Sequence, residues 1–266
     1  MAARALYGSD ITPLHTTRFR EIFEHVTADR ADVGIVPIEN ALAGSIHEIY
    51  DLLSEYNCSV VGEYYCPVQL HLMAPHHSAQ LESITQVFSH PKALEQCSTF
   101  LEQHPTISPV VFSDTAGAAA HVKSLNDPRT AAIASQEAAE EFGLSIIAPA
   151  IQNHASNMTR FFAVSRASES SETPTKCTLI TSLRHQPASL YKLLGEFAEL
   201  AINVTKIESR PIPGKPFEYL FHIDLETTPE SKGSLRDAVE RAKSVTVETR
   251  VLGFYSKGMM GGAGQD

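Results

Sequence analysis

The sequence has no tryptophan and only four cysteines, Cys58, Cys66, Cys97 and Cys177, among its 266 residues. The cysteines form no C-x-x-C pair and follow no regular spacing, which argues against a disulfide framework or a zinc site and favours a reducing compartment. No apolar run reaches the length of a membrane span, and the first residues lack the apolar core of a signal peptide. We therefore expect a soluble, cytoplasmic protein.

Positive charge is also scarce, since 21 Lys and Arg against 31 Asp and Glu give a formal net charge of −10. A chain this acidic is a poor candidate for binding nucleic acid or an anionic membrane. Residues 1–165 hold 8 basic and 18 acidic residues, whereas residues 177–256 hold ten of each. The intervening Ser-, Thr- and Glu-rich stretch 166–176 is typical of a linker. We therefore predict two domains, joined by that linker and followed by a Gly-rich, flexible tail at 257–266.

Strand and helix patterns alternate through the first domain and predict an α/β architecture. The apolar run DVGIVPIEN predicts a buried strand that ends at Pro37, because proline lacks the donor that a strand ladder needs. The next helix could be capped by Asn40 or Ser45. Long apolar runs near 60–73 and 145–152 are typical of paired crossovers, and they predict two α/β lobes with a cleft between them.

The second domain follows the order β-α-β-β-α-β in its 80 residues, which is the ferredoxin-like plan. Its predicted strands are KCTLITSL, INVTKIESRPI, EYLFHIDLET and TRVLGFYS, and its predicted helices are SLYKLLGEFAEL and SLRDAVERAKSV. A small, neutral module joined to an acidic, enzyme-sized segment suggests regulation or dimerisation, although a fold alone establishes neither.

Segments spread over most of the chain resemble one family in their order and spacing. The segments that resemble the prephenate dehydratase domain are V-P-I-E-N-A-L-A-G-S (36–45), F-S-H-P-K-A-L-E-Q-C (88–97), D-T-A-G-A-A (114–119) and N-M-T-R-F-F (157–162). Those that resemble the ACT module fused to it are P-A-S-L-Y-K-L-L (187–194) and I-E-S-R-P (207–211). The resemblance runs from about residue 17 to residue 256.

This resemblance implies a two-lobed α/β catalytic domain like that of periplasmic binding proteins, followed by a ferredoxin-like α+β ACT domain. It implies the decarboxylating dehydration of prephenate to phenylpyruvate in phenylalanine biosynthesis. Phenylalanine would be the feedback effector, and the ACT domains would pair in a homodimer or homotetramer. Aromatisation drives the reaction, so no metal or other cofactor is expected. We interpret His71, His76 and His77 as part of a solvated loop, since they lack cysteine or carboxylate company.

The resemblance assigns catalysis to Thr159. Glu39 and Asn40 are further catalytic candidates because they directly follow a predicted strand, and strand ends in open α/β sheets are where ligands bind. The Thr159 hydroxyl can donate to the leaving oxygen, and the structural alternative is a buried threonine bonded to its own strand. Asn40 can equally bind the substrate or cap the next helix. Glu39 could relay a proton, but a carboxylate beside a dianionic substrate must be protonated or paired.

Further residues are predicted to bind the substrate: Gly44, Ser45, His90, Gln96, Thr115, Arg160 and Phe161. Arg160 offers a bidentate fork for a carboxylate, with a surface salt bridge as the alternative. Helix N-termini after Ser45 and at Thr115 offer backbone N–H groups to an anion. His90 is more typical of a capping or core residue than of a general acid, and Phe161 fits a core or a cleft wall equally.

The predicted effector residues form two groups in the ACT module. They are Ala188, Ser189 and Leu190 on a strand-to-helix turn and Glu208, Ser209, Arg210 and Pro211 on the next strand. The chain departs from the family at Ala41, where Ser is usual, and at Lys92, where Gln is usual. Ala188 replaces the glycine of the family's G-A-L run, which narrows the approach to the turn and predicts weaker phenylalanine binding.

Two other functions fit the sequence. One is arogenate dehydratase, the same fold acting on an amino-group analogue, which a carboxylate facing the substrate's side-chain carbon would favour. The other is a catalytically impaired small-molecule-binding protein with an ACT sensor. The family's opening strand and its Gly-rich G-P-x-G-T-type loop have no counterpart before Ala31. We therefore expect a gap of about 10 Å between the two strands that would flank the missing strand. We also expect that the sequence is a truncated reading of a longer one, with weak activity or poor stability.

Overall fold

The computed structural model describes residues 2–75, 80–166, 173–258 and 260. The chain divides into two compact units. The inserted unit comprises residues 67–158, and the composite unit comprises residues 2–66 together with the chain from 159 onward. None of the helices in the described ranges has the length and the apolar character that a bilayer span requires.

The elements are numbered in chain order. The described helices are α1 (Ala2–Tyr7), α2 (Phe19–Thr27), α3 (His47–Glu55), α4 (Pro91–Gln96), α5 (Ser98–Gln103), α6 (Thr115–Leu125), α7 (Gln136–Phe142), α8 (Ser189–Glu199) and α9 (Leu235–Val245). The described strands are β1 (Gly34–Asn40), β2 (Gly44–Ser45), β3 (Ser59–Pro67), β4 (His71–Ala74), β5 (Gln86–Ser89), β6 (Ser108–Val111), β7 (Thr130–Ala134), β8 (Ser145–Ala148), β9 (Met158–Ser165), β10 (Lys176–Ser182), β11 (Asn203–Pro211), β12 (Tyr219–Glu226) and β13 (Glu248–Tyr255).

A five-stranded sheet forms the centre of the inserted unit, in the order β6-β5-β7-β4-β8. Strand β5 runs parallel to β6 and β7, whereas β4 is antiparallel to β7 and β8. Strand β7 is buried along its whole length, as expected of a strand that lies inside the sheet and under helices. Its residues are mostly alanine, which lets Ala118 and Ala119 of α6 pack closely against the sheet.

The two crossings between the units lie at Cys66–Pro67 and at Met158–Thr159. The first falls in the apolar run 60–73, where the sequence predicts a crossover. The predicted return near 145–152 is wrong, because β8 pairs with β4 inside the inserted unit. Strand β9, which carries the return, instead begins at Met158.

The first sheet of the composite unit has the order β2-β1-β9-β3. Strand β1 pairs antiparallel with β9, and Val36 opposes Phe162 in a pair that is completely buried. The predicted end of the strand at Pro37 is wrong. Pro37 pairs with Phe161, the register shifts by a bulge before Glu39, and the ladder continues to the end of β1. A bulge accommodates the missing N–H without terminating the strand.

A short turn joins β1 to β2, and it excludes both predicted helix caps. The Asn40 side-chain oxygen accepts hydrogen bonds from the backbone N–H groups of Leu42 at 3.1 Å and Ala43 at 2.9 Å. Ser45 lies in β2, and the residue that precedes α3 is Ile46, which has no capping side chain. Asn40 therefore closes the hairpin turn, as asparagine does in Asx turns, and leaves the helix uncapped.

The gap expected beside a missing strand is not found among the described residues, because neighbouring strands of the β2-β1-β9-β3 sheet are hydrogen-bonded to each other. Strand β2 pairs with β1 only at Glu39 and Asn40. Helix α1, which the sequence analysis did not predict, precedes α2.

The second sheet of the composite unit confirms the predicted ferredoxin-like order. The ferredoxin-like module, β10-α8-β11-β12-α9-β13, forms an antiparallel sheet in the order β11-β12-β10-β13. Apolar residues of α8 and α9 pack on this sheet in a core that includes Leu193, Phe197, Val239 and Ile223. The proposed linker lies mostly outside the described residues, at 167–172.

The module shares a core with the first sheet. Ile180, Leu252 and Tyr255 of the module belong to the same apolar cluster as Phe162 of β9. A side chain at Gly253 would collide with the backbone carbonyl of Val60, so β13 and β3 approach closely at this point. The start of the predicted tail also belongs to this structure, since Gly258 N donates to Glu63 Oε1 at 3.0 Å. Residues 259 and 261–266 of the tail lie outside the described residues.

Candidate active site

The β1–β9 ladder divides the predicted site residues between its two faces. Cross-strand partners lie on the same side of a sheet, and successive residues alternate. Asn40 opposes Thr159 and Pro37 opposes Phe161, which places these side chains on one face, called here the outer face. Glu39 opposes Arg160, which places both on the inner face with the buried Val36–Phe162 pair.

The outer face presents a hydrogen-bonded pair at the adjoining ends of β1 and β9. Asn40 Nδ2 donates to Thr159 Oγ1 at 3.1 Å, and both side chains are half-buried. The hairpin turn fixes the orientation of the Asn40 amide, because its oxygen is held by two backbone N–H groups. Since Thr159 accepts from Asn40, its own O–H can donate to an incoming group. Phe161, also half-buried, lies two residues along on the same face.

Arg160 lies on the inner face and its guanidinium is occupied by protein groups. Nε donates to Glu63 Oε2 at 2.7 Å and Nη1 donates to Asp224 Oδ2 at 2.5 Å. Burial opposes the charge, but the neighbouring Asp224 and Glu63 carboxylates outweigh it and raise the pKa of Arg160. The residue is only 6% exposed, so the surface salt bridge considered from the sequence is wrong.

Arg160 belongs to a buried ionic cluster of two cations and two carboxylates: Glu63, Arg160, Lys176 and Asp224. Lys176 Nζ donates to Glu63 at 3.0 Å, and Thr178 Oγ1 donates to Asp224 Oδ1 at 2.6 Å. The cluster joins β3 and β9 to β10 and β12. Arg160 therefore anchors the strand that carries Thr159, and its predicted contact with a substrate carboxylate stays a prediction.

Glu39 is paired on the inner face by a residue that sequence reasoning missed. Lys206 Nζ, on β11, donates to Glu39 Oε1 at 2.7 Å and to Ser45 Oγ at 2.7 Å. Ser45 Oγ donates in turn to Glu208 Oε2 at 2.6 Å, and His47 Nε2 lies 3.3 Å from Glu208 Oε1. A carboxylate in this region must be protonated or paired, which indicates that Glu39 has a cationic partner. Nothing in the sequence identifies Lys206 as that partner.

Gly44 occupies the turn between β1 and β2 with a positive φ of 81°, and nothing crowds the space that a side chain would take. Ser45 is bound to Lys206 and Glu208 on the inner face. The anion cradle predicted from a helix start at Gly44 and Ser45 is not formed in that way, because α3 begins only at His47.

Three predicted substrate-binding residues belong to the inserted unit. His90 caps α4, with Nδ1 accepting from Lys92 N at 3.2 Å, which agrees with the capping role favoured for it. Gln96 is the last residue of α4. Thr115 starts α6, where the Asp114 carboxylate already accepts from Gly117 N at 2.6 Å. A negative charge at that helix end opposes a second anion, and substrate contacts of these three residues stay predictions.

The two groups of predicted effector residues lie in different places in the described structure. Ser189 and Leu190 line a pocket of about 440 Å³ at the start of α8, whose wall also includes Arg184, His185, Phe217, Glu218 and Tyr219. Ala188 precedes the helix with a left-handed φ of 65°. Glu208 and Arg210 do not line this pocket.

The alternation along β11 explains why the second group lies apart from that pocket. Arg210 donates to Asp51 of α3 through Nε at 2.8 Å and Nη2 at 2.7 Å, and Glu208 binds Ser45. Ser209 and Pro211 are exposed on the opposite face of the strand.

The histidines considered for a metal site show no such arrangement in the described residues. The solvated loop predicted for His71 is wrong, because His71 is buried in β4. Its Nδ1 accepts from Ala150 N at 3.1 Å. His76 and His77 lie outside the described residues. Among the residues that the structure describes, no group of three or more His, Cys, Asp or Glu side chains is placed to hold a metal ion.

Comparisons with known proteins identify related sequences over nearly the whole chain. The sequence model of the family "Prephenate dehydratase" matches residues 1–169. The bifunctional chorismate mutase/prephenate dehydratase of Aquifex aeolicus is 34% identical over 255 residues, which cover 96% of this chain and 68% of that protein. The arogenate dehydratase/prephenate dehydratase 2 of Arabidopsis thaliana is 38% identical over 250 residues, covering 89% of this chain and 64% of that protein. The chain thus spans about two thirds of the length of these relatives.

Two solved structures share the fold. GqqA, described as a novel type of quorum quenching acylase, superposes with a TM-score of 0.84 at 30% identity, covering 96% of this chain and 93% of GqqA. The prephenate dehydratase from Arthrobacter aurescens in complex with L-Phe superposes with a TM-score of 0.81 at 29% identity, covering 94% of this chain and 83% of that one. The architecture of an α/β catalytic part followed by a ferredoxin-like module is therefore shared with these proteins.

Proposed function

Because the chain belongs to the prephenate dehydratase family, we propose that it converts prephenate into phenylpyruvate, carbon dioxide and water. In this proposal residues 1–165 form the catalytic domain and residues 177–256 form an ACT module. The observation that carries the proposal is the hydrogen bond between Asn40 and Thr159, which joins the V-P-I-E-N and T-R-F segments at adjoining strand ends. Strand ends of α/β sheets are common ligand sites.

In this reaction the bond between the ring and its carboxylate breaks, and its electron pair moves into the ring as the ring becomes aromatic. The ring C–O bond breaks at the same time, and the departing hydroxide takes up one proton to leave as water. Thr159 donates its O–H to that oxygen while it accepts from Asn40. A preorganised donor of this kind stabilises charge as it develops on the leaving group. The threonine orients the leaving oxygen, and the consumed proton comes from solvent.

The electrostatics of Glu39 favour prephenate over arogenate. Arogenate carries an ammonium group where prephenate carries a carbonyl, so an unpaired carboxylate near that group would favour arogenate. Glu39 is the candidate carboxylate of the V-P-I-E-N segment, and it lies on the inner face in an ion pair with Lys206. Its charge is therefore already balanced within the protein.

The test is spectrophotometric turnover of both substrates by the purified chain. We expect prephenate to be converted with a kcat/KM at least tenfold above that for arogenate. The reverse preference would reassign the chain as an arogenate dehydratase. Lack of turnover of either substrate by the folded protein would reject catalysis and leave the small-molecule-binding alternative.

Phenylalanine is proposed as the effector, bound in the pocket at the start of α8. A free amino acid needs a cation for its carboxylate, an anion for its ammonium group and an apolar wall for its ring. The pocket offers Arg184, Glu218 and Phe217 in these roles. The complex of the Arthrobacter relative with L-Phe supports phenylalanine as the effector. Calorimetry should detect phenylalanine binding that Arg184→Ala weakens, and an absence of binding heat would reject it.

Pairing of ACT modules in a homodimer or homotetramer is proposed from the exposed edge of the module. Strand β11 lies at one edge of its sheet. Phe217 at 78% and Tyr191 at 77% are the most exposed large apolar side chains among the described residues, and both belong to this module. Light scattering should show an oligomer that Tyr191→Glu dissociates, whereas a monomeric wild type would reject the pairing. A cytoplasmic location is supported by the low number of cysteines, all four of which are buried.

A further inference from the structure

The hairpin of β1 and β2 is held from a distant part of the chain. Lys206 of β11 donates to Glu39 and to Ser45, each at 2.7 Å. These two residues oppose each other directly in the β1–β2 ladder. A single ammonium group therefore bridges both strands of the hairpin. Its side chain is only 17% exposed, so water competes weakly for these bonds.

The same hairpin carries Asn40. Asn40 follows Glu39 in β1 and faces the opposite side of the sheet, where its amide meets the Thr159 hydroxyl. A β-bulge lies just before Glu39, and bulges loosen the ladder that would otherwise fix strand geometry. The backbone between the bulge and the turn therefore relies on side-chain contacts to hold its position. The only cation that an ion pair brings to Glu39, among the described residues, is Lys206.

We infer that Lys206 is a positioning residue of the dehydratase site, which clamps the β1–β2 hairpin on its inner face so that Asn40 presents its amide to Thr159 on the outer face. The inference rests on the proposed function for its kinetic part only. Lys206 shares its face of β11 with Glu208 and Arg210, which bind Ser45 and Asp51. The strand that carries the predicted effector motif therefore contacts the hairpin directly, and an effector that displaces β11 would change the position of Asn40.

The test compares Lys206→Met, which keeps a long unbranched side chain and removes its charge, with Lys206→Arg, which keeps the charge. The matched control is Lys243→Met on α9, where an exposed lysine pairs with Glu240 at 2.7 Å. We expect Lys206→Met to lower kcat for prephenate about tenfold with KM within twofold, because a misplaced donor costs rate more than binding. Lys206→Arg should recover most of the loss, and the control should match the wild type.

A double-mutant cycle separates positioning from general destabilisation. If Lys206 acts through Asn40, Lys206→Met should cause no further loss of kcat in an Asn40→Ala background. A purely structural role would lower the melting temperature and give an additive loss in both backgrounds. If Lys206→Met does not fold, Ser45→Ala removes one acceptor of the clamp without burying an unpaired charge, and it should give a smaller loss with the same lack of additivity. Additive losses, or a kcat within twofold of wild type for both folded variants, would overturn the inference.

A measurement without substrate keeps the clamp separable from the proposed activity. The amides of Leu42 and Ala43 are bonded to the Asn40 side chain, so their exchange rates report the position of Asn40. We expect about tenfold faster exchange of both amides in Lys206→Met, measured by NMR, and unchanged exchange in Lys243→Met. Faster exchange without any wild-type turnover would support the clamp and reject the dehydratase assignment. Unchanged exchange in Lys206→Met would overturn the clamp even if the wild type is an active dehydratase.

Discussion

The two faces of the β1–β9 ladder carry neighbouring residues of the same motifs and use them differently. On the outer face Asn40 and Thr159 bind each other at half-buried positions. On the inner face Arg160 is held by Glu63 and Asp224. The difference teaches that adjacency in a motif does not imply a shared role, because a strand sends successive side chains to opposite sides. The comparison predicts that loss of the Arg160 contacts affects stability, whereas loss of the Asn40–Thr159 pair affects turnover.

The largest effect is expected from Arg160→Met on the inner face. In the buried ionic cluster, the substitution leaves Glu63 paired with Lys176 and removes the cation that Asp224 is paired with. Removing one partner of a buried ionic network typically costs about 3–5 kcal/mol. Denaturant unfolding should show a loss of this size. A stable variant with a raised KM would instead show that Arg160 binds the substrate, as the motif alone suggests.

The next effect is expected from Thr159→Ala on the outer face. Loss of one placed donor should raise the barrier by about 3 kcal/mol, which is roughly a hundredfold in kcat. The melting temperature should stay close to that of the wild type, because the half-buried hydroxyl contributes little to packing. Steady-state kinetics and thermal unfolding on the same preparation check both halves. Wild-type turnover in the folded variant would remove Thr159 from the mechanism.

A third effect, which appears only as the pH falls, concerns His222 of β12, which lies beside Tyr50 and 3.2 Å from Ser54 Oγ. Burial lowers the pKa of His222 from 6.5 to about 4. As the pH falls, His222 therefore takes up a proton in the unfolded chain before it does so in the folded protein. Its contribution to the free energy of unfolding is complete above about pH 6.5 and is lost toward pH 4. The loss should be about 3 kcal/mol over this window.

The measurement compares urea unfolding of the wild type and His222→Gln between pH 7 and pH 4. Titration of the carboxylates is common to both proteins, so the difference between their free energies of unfolding isolates the histidine. The difference should shrink as the pH falls. A constant difference across the window would show that His222 is not the group responsible.

The smallest effect is expected from Ala188→Gly at the turn before α8. Ala188 has a left-handed φ of 65°, which costs a residue with a Cβ about 1 kcal/mol relative to glycine. The substitution should stabilise the protein by that amount and also open the pocket at Ser189 and Leu190. Thermal unfolding and calorimetry with phenylalanine provide the two measurements. As a control, Gly195→Ala inside α8, where a side chain meets nothing within 4 Å, should also stabilise, by about 1 kcal/mol, without changing phenylalanine binding.

Local patterns in the sequence predict much of this fold. Hydrophobic periodicity places most of the strands and helices, and the module's β-α-β-β-α-β order is fully confirmed. The predicted end of the strand at Pro37 was wrong, because the bulge that accommodates a proline within a strand depends on the partner strand. The return near 145–152 was wrong because an apolar run does not specify which sheet it joins.

The site was less predictable than the fold, because its decisive contacts join distant residues. The motifs indicate Asn40 and Thr159, which the structure brings together across 119 residues of chain. The position of Arg160 depends on Asp224, and that of Glu39 depends on Lys206, both in the ferredoxin-like module. No local pattern encodes such partners, so a buried structural arginine and an exposed binding arginine have the same sequence signature.

The buried ionic cluster also determines the order in which the chain can fold during its synthesis. The inserted unit is continuous, so it can fold as soon as it leaves the ribosome. The composite unit must wait for β13, because Glu63 and Arg160 are made before their partners Lys176, Asp224 and Tyr255. A nascent or proteolysed chain that stops before β10 keeps Thr159 but leaves a carboxylate and a guanidinium facing an open apolar surface. The ferredoxin-like module is therefore also a folding requirement of the sheet that carries Thr159, and we expect that a cut between the two would leave that sheet unfolded.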